Sequence, residues 1–272
     1  MIWVNGHLTA EDDAALSVLD HGLTVGDGVF ETVKAEHGEL FAPTRHLDRL
    51  TRSARGLGLP DPDHDLVREA CAAVLAAKPL PLGRLRITYT GGTSPLGSER
   101  GTAGPSLIVA LGSATPRPDT TAVVTVPWRR NEHSAVAGLK TTSYAENVIA
   151  LAAAHRAGAS EALLANTAGQ LCEGTGSNVF LVLDGRLLTP TLASGCLAGI
   201  TRRLVLDWTG AEEADVPLDA LHQAEEVFLT STLRDVQAVT RVDGRELPGV
   251  GPVTRKAMEV FAERAGRDRD PV

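Results

Sequence analysis

Lysine is scarce in this chain. Of 272 residues only four are lysines (Lys34, Lys78, Lys140 and Lys256), against 22 arginines. Any chemistry that needs a primary amine therefore has four places to occur. Cysteine is scarcer still. Cys71, Cys172 and Cys196 are odd in number and far apart, which argues against a disulfide framework and a zinc site and leads us to expect a reducing cytoplasm and no metal. No apolar run approaches the roughly 18–20 residues needed to cross a bilayer. The opening MIWVNGHLTAEDD has neither the basic nor the apolar region of a secretory signal. Basic excess is missing too. With 34 acidic residues against 26 basic, a formal charge of -8 and no basic run, partners such as nucleic acid or an anionic membrane are not expected.

What is present reads as a globular protein. A hydrophobic content of 43% with both signs of charge is enough for a packed core. The length suits one large domain or two ordinary ones. Prolines and small polar residues interrupt the apolar stretches around GSATPRPDTT, so a linker is expected at 113–121, between an N-terminal lobe at 1–112 and a C-terminal lobe at 122–272. In the first lobe, residues 28–40 read as a strand, a turn at His37-Gly38 and a return strand. Residues 43–59 and 63–78 have helical spacing, the second with Asp63 or Asp65 as N-cap. Residues 84–92 and 106–111 alternate as strands do. In the second lobe, 143–159, 199–210 and 253–266 read as helices and EALLAN, SNVFLVLDG, GRLLTP and EEVFLTST as strands. The fold class expected is α+β, two-lobed.

Among the lysines, Lys256 falls on a helix beside Arg255 and reads as a solvated face. Lys78 suits a helix C-terminus. Lys34 lies in a strand with no decided face. Lys140 differs: it follows Ala137 and Leu139, closes a predicted strand, and opens into Thr141-Thr142-Ser143-Tyr144. A desolvated amine beside hydroxyls is a setting for Schiff-base chemistry, although a structural lysine fits the same pattern.

The segment around it, GLKTTSYAENV (138–148), resembles the cofactor-lysine segment of the class IV aminotransferases, the fold-type IV pyridoxal-phosphate enzymes. DHGLTVGDGVFETVK (20–34) resembles that family's GDG-V-F/Y-E signature and HLDRL (46–50) its H-x-x-R-L helix. QLCEGTGSNVF (170–180) resembles its E-G-x-x-x-N-V/L-F motif, LAGITR (197–202) its G-I-T-R motif and FLTSTLRDV (228–236) its S/T-x-T segment. The motifs run in the family's order over nearly the whole chain. The resemblance implies pyridoxal 5'-phosphate as cofactor, with Lys140 as its covalent anchor and the catalytic base. It implies Glu173 as the anionic partner of the pyridine nitrogen, which keeps the ring an electron sink. It makes Arg49, the helix start Gly199-Ile200-Thr201 and the Thr232 hydroxyl the phosphate ligands. Tyr144 would donate to the ring's phenolic oxygen, and Phe30, Arg86 and Leu233 would meet the substrate. A homodimer acting on a small amine or amino acid is implied as well. His21 and His46, beside motif positions, are read as packing residues.

Members of the family divide by substrate. The D-amino acid aminotransferases carry a tyrosine where Phe30 stands and a carboxylate-binding arginine where this chain has Leu96, in GGTSPLG (91–97). Losing that arginine costs on the order of 1.5–3 kcal/mol for a charged hydrogen bond, unless nearby Arg100 replaces it. The lyases that convert 4-amino-4-deoxychorismate to 4-aminobenzoate and pyruvate, in folate synthesis, are compact and begin with an I/L-x-x-N-G strand, as Ile2–Gly6 does here. Arg84 and Arg86 share a strand face, Arg234 follows the Thr232 cluster, and Trp128, Arg129 and Arg130 offer a pocket wall. The sequence therefore favours the lyase. The alternative is an aminotransferase acting on branched-chain or D-amino acids with a 2-oxo acid acceptor.

Overall fold

Several stretches of the first 116 residues bury every second side chain, as strands with one covered face must. They form a sheet of six strands: β1 (Ile2–Val4), β2 (His7–Thr9), β3 (Gly28–Glu36), β4 (Glu39–Leu40), β5 (Leu82–Thr90) and β6 (Ser106–Ser113), in the order β2-β1-β6-β5-β3-β4. All neighbours are antiparallel, and β3 pairs with β5 from Gly28↔Thr90 to Glu36↔Leu82. His37 and Gly38, with φ of 51° and 87°, make the tight turn that matches the twist of the β3–β4 hairpin. Three helices accompany the sheet: α1 (His21–Thr24), α2 (Pro43–Leu57) and α3 (His64–Ala77). Pro43 opens α2 at a position that needs no N–H donor. Asp63 caps α3, accepting from the N–H groups of Asp65 and Leu66. Leu47, Leu50 and Ala54 of α2 and Val67, Ala70, Cys71 and Val74 of α3 form one core with Val29, Val33, Leu85, Ile87 and Val109.

The computed structural model describes all 272 residues, Met1–Val272. They divide into two compact units. The first is Met1–Pro116 with Leu139–Ser143 and Arg269–Val272, and the second is Arg117–Gly138 with Tyr144–Asp268. Chain order alone groups Lys140 with the second lobe, whereas the Leu139–Ser143 segment clusters with the first unit.

The second unit is built on a mixed sheet of nine strands: β7 (Thr120–Arg130), β8 (Glu161–Asn166), β9 (Leu171–Gly174), β10 (Asn178–Leu183), β11 (Arg186–Thr189), β12 (Glu212–Glu213), β13 (Glu226–Ser231), β14 (Asp235–Val242) and β15 (Arg245–Glu246). Its central strands read as near-continuous apolar runs because both faces are covered. Phe180 and Phe228, paired across β10 and β13, stack with centroids 4.8 Å apart. Ala150 and Ala154 let α4 (Ala145–Arg156) lie close on β7 and β8. α5 (Ile200–Thr209) and α6 (Pro252–Arg267) pack on each other and on β13. Residues 131–139 form turns, so Lys140 does not close a strand as the sequence suggests; it immediately precedes Thr141, which bridges to Val29 of β3.

One buried polar cluster pins α2 to β3. Glu31, fully buried on the core face of β3, accepts from Arg49 Nε at 2.8 Å, Arg49 Nη2 at 2.7 Å and His46 Nδ1 at 2.7 Å. Burial by itself would raise the Glu31 pKa. The Arg49 charge and the hydrogen bonds from Arg49 and His46 overturn that and bring it down to about 2. Burial pushes His46 down, so the imidazole is neutral and donates its Nδ1–H.

Glu31 has a folded pKa below its ordinary 4.5. Its stabilisation is therefore complete above that value and is lost as pH falls towards about 2, amounting to about 3 kcal/mol. Denaturant titrations between pH 6 and pH 3 are expected to show an acid-labile limb that is shallower in Glu31→Gln. At neutral pH, Glu31→Ala removes the carboxylate from a buried ion pair, and a loss of about 3–5 kcal/mol is expected from the same titration.

Candidate cofactor and active site

In the first unit the residues gather around Lys140. Its backbone is held on two sides: its N–H donates to Ser53 Oγ on α2 at 3.2 Å, and its carbonyl accepts from Phe30 N–H on β3 at 3.0 Å. Thr142 continues the attachment, its N–H donating to Gly28 O at 2.8 Å and its hydroxyl to Gly26 O at 3.0 Å. The half-buried side chain brings Nζ to 4.3 Å from the centre of the Phe30 ring. Arg86 stacks its guanidinium on the same ring at 3.4 Å, a consequence of register: Phe30 pairs with Thr88 and Thr32 with Arg86, so Phe30 and Arg86 are diagonal neighbours on one sheet face. Lys140, Phe30 and Arg86 are thus adjacent. Arg49 lies one helical turn before Ser53 on α2 and donates to Glu31 through Nε and Nη2.

The other three lysines sit elsewhere. Lys34 is buried and ion-paired with Glu36 at 3.7 Å, Lys78 ends α3 and meets Glu11 at 3.7 Å, and Lys256 is exposed on α6.

In the second unit, Glu173 on β9 accepts from the Leu197 N–H at 2.9 Å, and its other oxygen lies 3.2 Å from Arg130 Nε. Asn178, at the start of β10, donates to Leu197 O at 2.9 Å. Glu173 and Asn178 therefore fix the segment that leads into α5. Gly199 is the N-cap of α5, with Ile200 and Thr201 in its first turn and no side chain capping it. A Cβ at Gly199 would lie 2.0 Å from Asn178 Oδ1, so only glycine fits there. Thr201 is buried. Thr232, Leu233 and Arg234 form the turn between β13 and β14, closed by Asp235 in the left-handed region at φ 51°. That turn follows Thr230, which pairs with Asn178 and has a buried hydroxyl with no hydrogen-bond partner. Tyr144 is half-buried at the N-cap of α4.

Two arginines that the sequence offers for substrate are already engaged. Arg100 grips Asp27 with two donors, at 2.7 Å and 2.6 Å, and donates to the carbonyls of Gly58 and Leu57, both at 2.7 Å. Its hydrogen bond is the main reason the Asp27 carboxyl titrates below the usual range. It is a loop fastener, and Leu96 is 75% exposed. Arg234 donates to Ser160 Oγ at 3.2 Å, to Ser160 O at 3.0 Å and to Gln237, tying its own turn to the sheet. Sequence reasoning misses Ser53, Glu31 and Asn178. The last two lie inside recognised motifs, and only their partners reveal what they do. Arg130, which the sequence offers as pocket wall, is the ion-pair partner of Glu173.

The donor types of each unit suit pyridoxal phosphate: in the first an amine and an arginine, in the second a carboxylate oriented by a backbone N–H and an arginine, and a helix N-terminus with no side-chain cap. The comparisons with known proteins agree. The pattern described as amino-transferase class IV matches residues 28–242. A Methanocaldococcus jannaschii protein provisionally named a branched-chain-amino-acid aminotransferase is 34% identical over 96% of this chain and 95% of its own. A D-alanine aminotransferase of Listeria monocytogenes is 29% identical over 98% and 96%. Among solved structures, a branched-chain amino acid aminotransferase from T.th., complexed with N-(5'-phosphopyridoxyl)-L-glutamate, superposes with a TM-score of 0.88 at 29% identity, covering 98% of this chain and 94% of that one. A Legionella pneumophila protein provisionally named 4-amino-4-deoxychorismate lyase gives 0.87 at 25% identity, covering 93% and 96%. The chain belongs to the class IV aminotransferases and is a pyridoxal-phosphate-dependent enzyme.

Proposed function

We propose that the chain is an aminotransferase that moves an amino group between an α-amino acid and a 2-oxo acid. The observation that carries this reading is the trio of Lys140, Phe30 and Arg86, in which an amine and a guanidinium both contact one aromatic ring. An α-carboxylate gripped by Arg86 would present its amino group to that place. With Arg100 and Arg234 engaged elsewhere, a substrate carrying one carboxylate is better served than one carrying several. The higher identity of the relatives named as aminotransferases supports the same choice.

The roles follow the family resemblance. Lys140 would hold the cofactor's aldehyde carbon and would carry the substrate's proton. Glu173 would keep a proton at the ring nitrogen. Arg49, Thr232 and the first turn of α5 at Gly199, Ile200 and Thr201 would hold the phosphate, and Tyr144 would donate to the phenolic oxygen. Phe30, Arg86 and Leu233 shape the substrate's place. When bound, the cofactor supplies an electron sink, and the protein supplies position and protons.

The aminodeoxychorismate lyase reading uses the same residues. Leu96 in place of a carboxylate arginine speaks against a D-amino acid substrate, and exposed Arg84, two residues from Arg86 on the same strand face, offers a second cation for a dianion. Likeness to the Legionella protein is the further support. A homodimer is part of the proposal. In the first unit Leu16, Val18, Leu19, Leu23 and Val25 are exposed near α1, and in the second Val148 and Ile149 are exposed on α4; clustered exposed apolar side chains of this kind mark interaction surfaces. A cytoplasmic setting suits three buried, unpaired cysteines.

Half-reactions with leucine or D-alanine are expected to convert the cofactor to its amino form, followed by absorbance. Release of 4-aminobenzoate and pyruvate from aminodeoxychorismate, without that conversion, would establish the lyase instead. Lys140→Ala should lose activity by at least about 10²–10⁴-fold and escape covalent labelling by pyridoxal phosphate and borohydride. Arg86→Leu should raise KM for the amino acid roughly 10- to 100-fold, as loss of a charged hydrogen bond implies, with cofactor content unchanged. Light scattering should give a mass of twice 28.6 kDa.

A further inference from the structure

We propose that Ser53 is a positioning residue for Lys140, fixing the backbone from which the reactive amine projects; this rests on Lys140 being the cofactor lysine. The Ser53 side chain lies on the buried face of α2, with Ser53 2% exposed. It is four residues after Arg49 and seven after His46, so the three side chains share a helical face. The first two grip Glu31 of β3. The third accepts the Lys140 N–H at 3.2 Å. On the opposite side of the same residue, the Lys140 carbonyl accepts from Phe30 N–H, and Phe30 is the chain neighbour of Glu31. Both backbone groups of Lys140 are therefore held by two elements, α2 and β3, that the Glu31 cluster locks to each other.

Gly56, three residues beyond Ser53, completes the contact. A Cβ there would come within 2.6 Å of Leu139 Cδ2, so the segment just before Lys140 lies directly against the helix. Residues 131–139, which lead into Lys140, are turns without a strand ladder, so α2 is the regular element that meets the segment on this side. Without the Ser53 hydroxyl, the Lys140 N–H loses its acceptor, and the peptide can rotate about the attachment that remains at Phe30. An ångström of displacement at the root of a reacting side chain is enough to cost about two orders of magnitude in rate. One helix thus sets both the place of Arg49 and the place of Lys140.

The test compares Ser53→Thr with its isostere Ser53→Val, and Ser53→Ala with both. The readouts are amide hydrogen exchange of the 139–143 segment in the full chain without cofactor, and the rate at which Lys140 captures pyridoxal phosphate, trapped by borohydride and mapped by peptide mass. Ser53→Thr keeps the acceptor and should stay within about threefold of the parent in both. Ser53→Val and Ser53→Ala should lose protection at Lys140 and slow capture roughly 10- to 100-fold; where amino-acid turnover is measured, kcat falls and KM holds. Equal behaviour of the Thr and Val variants would overturn the proposal. If Val does not fold, parental protection and capture in Ser53→Ala would overturn it as well. Labelling at a lysine other than Lys140 would overturn the cofactor assignment itself, an outcome distinct from a failure of Ser53.

Discussion

The buried carboxylate of Glu31 is the constraint on which the first unit depends. A lone anion in that core would be untenable, and three hydrogen bonds from a guanidinium and a neutral imidazole make it permissible. The requirement for that geometry fixes α2 on β3 to within hydrogen-bonding tolerance. Fixing α2 then places Arg49, Ser53 and Gly56, and fixing β3 places Phe30. Lys140 arrives last, as a short extra segment bonded to both. The Lys140 backbone owes its position to the two elements that this ion pair joins.

A second buried carboxylate does comparable work in the other unit. Glu161, 2% exposed at the head of β8, accepts from the N–H groups of Thr175 at 3.0 Å and Gly176 at 3.3 Å, from Ser177 Oγ at 2.9 Å and from the Thr175 hydroxyl. These donors belong to the turn that joins β9 to β10. Glu173 stands just before that turn and Asn178 just after it, so anchoring the turn sets the spacing between them. Both then bond to Leu197 and define the approach to Gly199. In each unit, buried charge supplies direction that apolar packing lacks, because a carboxylate accepts only along particular lines whereas methyl groups pack in many ways.

The abundance of arginine takes on a different meaning in this light. Arg100, Arg202 and Arg234 each donate to main-chain carbonyls as well as to side-chain acceptors. A planar fork offers five donors in a fixed array and so can satisfy several loop carbonyls in set directions, whereas an ammonium offers three on a freely rotating end. Most of the arginines met along the motifs are fasteners of turns and loops. Arg86 is set apart by its company, since its guanidinium lies over the Phe30 ring, which the Lys140 amine also contacts.

Much of the architecture is legible along the chain, for local reasons. The β3–β4 hairpin, α2 and α3 announce themselves through alternation, helical spacing, a positive-φ turn and an N-cap, all of which act within a few residues. The strand β14 is not legible, because Asp235–Val242 carries polar residues into a position between β13 and β7 that only the assembled sheet requires. The strand expected to close at Lys140 is absent, and residues 131–139 form turns instead. Of the site, the order of motifs is enough to select Lys140 from four lysines and to name its companions by residue type. The sequence by itself, through its resemblance to the family, named the groups proposed for the chemistry. Tertiary structure decided which arginines were already engaged, which hydroxyl receives the Lys140 N–H, and which ring lies under the amine, because each of these depends on contacts between residues far apart in the chain that no local pattern encodes.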